Sequence, residues 1–106
     1  MSWFFLLLAG ICEIGWPLGF KLSQTTTNKW LWLGISVISM GLSGYFLWIA
    51  QKEIPISLAY GIWTGIGAVG TFLIGVTIFK DPVNTMQYIS AFLIIAGIIG
   101  LKLFSN

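Results

Sequence analysis

The chain has 106 residues, of which 58% are hydrophobic and only 8% are charged. A soluble domain carries about 25% charged residues, so this composition excludes an ordinary water-soluble fold and indicates a membrane protein. The net charge of +2 is too small for a nucleic-acid-binding surface, and the lack of histidine excludes histidine proton relays and histidine metal sites. Cys12 is the only cysteine, so no intramolecular disulfide can form. We therefore expect no cofactor, no metal and no nucleic-acid partner.

Four apolar stretches predict four membrane-spanning helices, over residues of about 3–22, 30–50, 56–79 and 85–104. Each stretch is near the length of roughly 20 residues that a spanning helix requires. The first lacks a basic leading region and a signal-peptide cleavage site, so we interpret it as a retained helix. The sequence thus predicts an all-α membrane protein with a single four-helix transmembrane domain, residues 1–106.

The first predicted helix carries Glu13, an acid with apolar residues on both sides. An ionisable group at membrane depth costs roughly 2.5–3.5 kcal/mol on insertion scales, so such an acid is a candidate functional residue. Trp16 and Pro17 follow at i+3 and i+4, on the same helical face. Because Pro17 has no backbone N–H, the Glu13 carbonyl loses its helical partner, which predicts a kink beside the acid. Proline in membrane helices also serves packing, and that interpretation stays open.

The second predicted helix carries Ser36, Ser39 and Ser43 on one stripe. Serines in membrane helices often bond only to their own backbone. A stripe of three nevertheless favours one of them facing a polar interior, and Ser43 is the candidate.

The third predicted helix has polar-tipped side chains and a glycine on one stripe: Tyr60, Trp63, Thr64, Gly67 and Thr71. In lipid such groups must find partners inside the protein, so we expect Tyr60 and Trp63 to face a pocket. The segment 65–70 matches the G-x-G-x-x-G pattern literally, but it lies in a continuous apolar span and not after a strand. Its glycines instead favour close helix packing, and Gly65 and Gly67 predict a bend.

The fourth predicted helix presents small residues, Ser90, Gly97 and Gly100, which suit helix–helix contact. We expect this face to be a dimer seam, because four helices with one acid enclose only half of a cavity and two-fold dimers are the commonest oligomers.

The lysines give almost no preferred orientation in the membrane. Two lie on the side of the N-terminus, Lys52 and Lys102, and three on the other, Lys21, Lys29 and Lys80. A chain without a preferred orientation can insert both ways, which allows an antiparallel pair with its symmetry axis in the membrane plane.

Three motifs point to a known family: Gly10-x-x-Glu13, then Ile54-Pro55-x-x-Leu58-Ala59-Tyr60-x-Ile62-Trp63-x-Gly65-x-Gly67, then Gly97-Ile-Ile-Gly100-Leu-Lys102. With them the chain resembles a small multidrug resistance transporter over essentially its whole length. That resemblance implies an antiparallel, dual-topology homodimer in the bacterial inner membrane. It also implies exchange of cations for protons at a paired glutamate.

Within that family, Trp16, Ser43, the string Trp63–Gly67 and Lys102 resemble the guanidinium-exporter subtype. The resemblance implies a guanidinium-type cation and protons as partners, with Glu13 as the site that both share. Trp16, Ser43, Tyr60 and Trp63 would line that site.

Other functions stay open at this point. The chain could export bulky quaternary ammonium cations, although the bulk of Trp16 beside the acid disfavours a wide pocket. It could be a non-transporting accessory membrane protein, with Glu13 as an assembly contact. A membrane enzyme is disfavoured, since a single acid without histidine or a metal cluster offers little chemistry. A heterodimer with a related chain is a further alternative to the homodimer.

Overall fold

The computed structural model of the protein describes residues 1–105, and four helices make up nearly all of that range: α1 (Ser2–Thr25), α2 (Lys29–Ala50), α3 (Ile56–Thr77) and α4 (Thr85–Leu103). Each helix is long and apolar enough to cross a membrane. No strand occurs within residues 1–105. The predicted all-α architecture with four membrane-spanning helices is confirmed.

Local sequence explains where the helices begin and end. Pro55 directly precedes α3 with φ −57, a position that its fixed φ suits. Beyond α3, which ends two residues before the predicted position 79, Lys80 adopts a left-handed φ of 54. Asn84 and Gln87 then form a capping box at the start of α4: the Gln87 backbone N–H donates to Asn84 Oδ1 at 2.9 Å, and the Asn84 N–H donates to Gln87 Oε1 at 3.2 Å.

α1 packs closely against α2 through glycines that face serines. A Cβ added at Gly15 would lie 2.9 Å from Ser39 Oγ, and one added at Gly19 would overlap Ser36 Oγ. Ser36 and Ser43 are both buried, with 0% and 1% of their surfaces exposed. The serine stripe of α2 therefore faces α1, and its hydroxyls lie at the helix interface rather than toward lipid.

Glycines of α3 allow close approach on two sides of that helix. Gly67 and Gly70 contact α1, at Glu13 and Ile14, whereas Gly65 contacts Ile98 of α4. The close packing expected of the 65–70 segment is confirmed by these contacts. α3 is helical throughout Ile56–Thr77, and the bend at Gly65 and Gly67 stays a prediction. α1 likewise is helical through Pro17, so the kink stays a prediction too.

The chain forms a thin layer, with Cα extents of 48 × 34 × 16 Å. α4 lies at its edge, where its backbone approaches that of α3 but not those of α1 and α2 across the described residues. Of the proposed dimer seam, Ser90 and Gly97 are exposed, and a Cβ added at Gly97 or Gly100 would meet open space. The dimer stays a prediction.

Candidate functional site

The site is built around the Glu13 carboxylate, which is half-buried in the middle of α1. Trp16 lies one turn later on the same face, and its indole Nε1–H donates to Glu13 Oε1 at 2.7 Å. A hydrogen bond to an ionised acceptor is roughly twice as strong as one between neutral groups. The local helix geometry therefore supplies Glu13 with its first donor and orients the carboxylate.

Ser43 connects the acid to the other two helices of the site. Its Oγ donates to the Ala9 carbonyl of α1 at 2.8 Å, and it accepts from Trp63 Nε1 of α3 at 2.7 Å. The same Oγ lies 3.5 Å from Glu13 Oε1. A hydroxyl has one proton, so Ser43 donates to the carbonyl or to the carboxylate, but not to both at once. The shorter distance identifies the Ala9 carbonyl as its acceptor here.

Gly67 brings the backbone of α3 against the acid. A Cβ added at Gly67 would lie 2.5 Å from Glu13 Cγ and 3.2 Å from Glu13 Cβ. Carbon atoms in ordinary contact are about 3.5–4.0 Å apart, so no other residue fits here without movement. Gly67 therefore restricts the position of Glu13 from the α3 side; the stripe predicted close packing at Gly67 but not that Glu13 is its neighbour.

Tyr60 lies at the margin of this arrangement. Its ring packs edge-on against Trp63, with the ring centroids 5.5 Å apart, and 57% of its surface is exposed. Of the five predicted site residues, a single chain thus brings four together: Glu13, Trp16, Ser43 and Trp63. Tyr60 packs its ring on Trp63 and takes no part in the hydrogen bonds described above.

Ser36 supports the site as well, although the serine stripe favoured Ser43 as the candidate. The Ser36 Oγ donates to the Trp16 carbonyl at 3.0 Å, about two turns along the serine stripe from Ser43. The stripe itself was visible in the sequence. Its register against α1, which decides that Ser36 meets Trp16 and Ser43 meets Ala9, was not.

The chemistry available to this group is cation binding. Trp16 donates to Oε1, and a carboxylate accepts on both of its oxygens, so a ligand can donate to Oε2. Within residues 1–105 no three histidine, cysteine or acidic side chains lie close enough together to hold a metal. One carboxylate, two indoles and a hydroxyl can hold a cation that carries N–H donors and an apolar face.

Comparison with known proteins identifies the family to which the chain belongs. The family model described as Small Multidrug Resistance protein matches residues 1–94. The chain belongs to the small multidrug resistance family. Family membership and the four apolar helices make it a multi-pass transport protein of the bacterial inner membrane.

Several relatives are similar to the chain along nearly its whole length. The Guanidinium exporter of Proteus vulgaris is 41% identical over 108 residues, covering 99% of this chain and 100% of the relative. The Guanidinium exporter of Escherichia coli is 38% identical over 106 residues, with 97% of each chain covered. An uncharacterized membrane protein of Bacillus subtilis is 41% identical, covering 100% of this chain and 99% of its own length. The family and these names indicate a transporter rather than an enzyme.

Proposed function

We propose that the chain is a proton-coupled antiporter that exports guanidinium and small substituted guanidinyl cations through a site formed by paired Glu13 carboxylates. The observation that carries the proposal is the Glu13 carboxylate, which accepts from Trp16 on one oxygen and lies 3.5 Å from the Ser43 hydroxyl to which Trp63 donates. Full-length relatives named Guanidinium exporter support the choice of substrate.

Guanidinium suits this site because of its shape and charge. Like the arginine head group, it is planar, stays charged at physiological pH and presents N–H groups in a fork that matches carboxylate oxygens two at a time. It also stacks on aromatic faces and is more weakly hydrated than an ammonium ion. Trp16 beside the acid and Trp63 beside Ser43 supply bulky aromatic rings near the site, which favour a small flat cation over a bulky one.

Competition between proton and cation supplies the coupling. Protonation of Glu13 removes the charge that attracts the cation, so only one of the two occupies the site at a time. If the transporter changes the side to which it opens mainly when the site is loaded, outward movement of cation is exchanged for inward movement of protons. No other acid lies in the membrane-spanning helices, since Glu53 and Asp81 lie in loops.

The second half of the site would come from a second copy of the chain in antiparallel orientation. The 2:3 lysine distribution and the layer only 16 Å thick support this arrangement. So does the open, small-residue face of α4. In such a dimer one guanidinium ion bridges two carboxylates. Tyr60, exposed beside Trp63, would line the shared chamber.

Transport in proteoliposomes of the purified chain tests the mechanism. Guanidinium added on one side should drive proton movement measured by solid-supported-membrane electrophysiology, and Glu13→Gln should abolish it. Glu53→Gln is the matched control, because it makes the same chemical change in an exposed loop. Coupled transport that persists in folded Glu13→Gln protein would contradict the assignment. No transport by the wild type would favour the accessory-protein alternative, and currents from large quaternary amines alone would favour a different substrate class.

Dual topology has its own test. A cysteine introduced at Gln51, in the loop between α2 and α3, should react with an impermeant reagent in about half of the chains in intact cells if both orientations are present. A Cys12→Ser background removes the native thiol. Labelling of all chains, or of none, would exclude the antiparallel homodimer.

A further inference from the structure

A groove between α1 and α4 lies apart from the Glu13 site and has no part in the proposed transport. Its volume is about 440 Å³, within the size range of ligand pockets. Trp3 and Leu6 of α1, Ile62 of α3 and Ile99 of α4 are among its walls. Eight of its nine lining residues are apolar, and the ninth is Lys102. The groove thus has an apolar interior and a single charged group.

That charged group lies at the mouth of the groove. Lys102 is in the last turn of α4, and its Nζ lies 4.7 Å from the centre of the Trp3 ring, at the start of α1. Both residues are at the ends of membrane-spanning helices, where tryptophan occupies the interface and lysine extends toward it. No acidic side chain lines the groove. A positive charge is therefore held at headgroup depth above an apolar slot.

The groove and the proposed dimer seam occupy opposite sides of α4. At about 100° per residue, Ile99 lies about 180° from Ser90 and about 160° from Gly97. A second chain that packs on the small residues therefore leaves the groove facing the lipid. The occupant that fits is a membrane component with an apolar chain and a negatively charged head.

We propose that the groove holds one anionic phospholipid. One acyl chain lies along the apolar walls, and the phosphate oxygens accept hydrogen bonds from the Lys102 ammonium. Basic pockets between membrane helices bind anionic head groups in this way. The groove is separate from the Glu13 site, so lipid binding there does not depend on the proposed transport.

Native mass spectrometry of the purified chain, titrated with phosphatidylglycerol or phosphatidylcholine of the same acyl chains, tests this proposal. We expect one phosphatidylglycerol per chain, bound about fivefold more tightly than phosphatidylcholine, as one lysine near an anionic head group provides. Lys102→Gln should remove this preference without weakening phosphatidylcholine binding. Ile99→Trp and, as a second groove-filling variant, Leu103→Trp should weaken binding of both lipids.

Lys52→Gln is the matched control. The Lys52 Nζ lies 4.4 Å from the centre of the Trp48 ring on the same side of the membrane, but Lys52 does not line the groove. Equal binding of the two lipids would overturn the proposal, as would an equal loss of preference in Lys52→Gln. Unchanged lipid binding in folded Ile99→Trp and Leu103→Trp would also overturn it. Loss of the dimer peak in those two variants would assign the groove to a contact between copies instead.

Discussion

Replacing Gly67 by alanine tests whether the approach of α3 fixes the position of Glu13. The added Cβ would lie 2.5 Å from Glu13 Cγ, so about 1 Å of separation must be recovered to reach ordinary contact. The chain has two ways to recover it. Either α3 moves away from α1, or the Glu13 side chain turns and loses its 2.7 Å hydrogen bond from Trp16.

The size of the effect follows from a control at an open glycine. Gly41→Ala on α2 adds a Cβ with nothing within 4 Å, and both substitutions gain about 1 kcal/mol of helix propensity. Overpacking costs about 1–3 kcal/mol, so the difference between the two variants should be of that size. If the whole overpacking cost destabilises the cation-bound state, guanidinium affinity drops about 5- to 150-fold.

Two measurements on each variant are needed, because the overpacking can lower either the free energy of unfolding or the affinity for guanidinium. Thermal unfolding in detergent reports helix separation, and guanidinium titration followed by tryptophan fluorescence reports the displaced carboxylate. Gly67 would have no role in positioning Glu13 if Gly67→Ala matched Gly41→Ala to within about 0.5 kcal/mol in stability and about twofold in affinity.

Three further substitutions or conditions probe the same network. Ser43→Ala leaves the Trp63 N–H without its acceptor and should cost about 1–3 kcal/mol in thermal unfolding, whereas Ser57→Ala on an exposed surface should be near neutral. Trp16→Phe keeps an aromatic ring but removes the N–H that donates to Glu13, so guanidinium affinity should fall about tenfold in calorimetry. An unchanged affinity would show that this bond does not support cation binding. Apparent guanidinium affinity should fall as the pH is lowered, by up to about one decade per pH unit for each proton displaced, and affinity independent of pH would argue against competition at a shared carboxylate.

The extent of each helix, and which residues share one of its faces, could be predicted from the sequence. The four apolar stretches predicted four spanning helices because the thickness of the bilayer and the rise of a helix set the length required. The solitary Glu13 was a candidate site because a charge in a span is costly. Trp16 was placed on the same face by helical periodicity alone, and the structure brings its N–H to 2.7 Å from the acid.

The register of the helices against one another, and the side-chain contacts between them, came from the tertiary structure. Periodicity put Ser36, Ser39 and Ser43 on one stripe, but the close contacts at Gly15 and Gly19 set the register in which Ser43 meets Ala9 and lies near Glu13. The same packing directs Trp63 to Ser43 instead of to the acid and leaves Tyr60 outside the hydrogen-bonded group.

The physical reason is that helical spacing determines which residues share a face, whereas the depth and register at which two faces meet depend on close packing along both helices. Glycines control that packing as much as large side chains do, because Gly15, Gly19 and Gly67 let neighbouring helices approach closely. Spacing along α1 was therefore enough to identify the acid, its depth in the membrane and the tryptophan on its face. The packing of α2 and α3 against α1 decided which other side chains surround it.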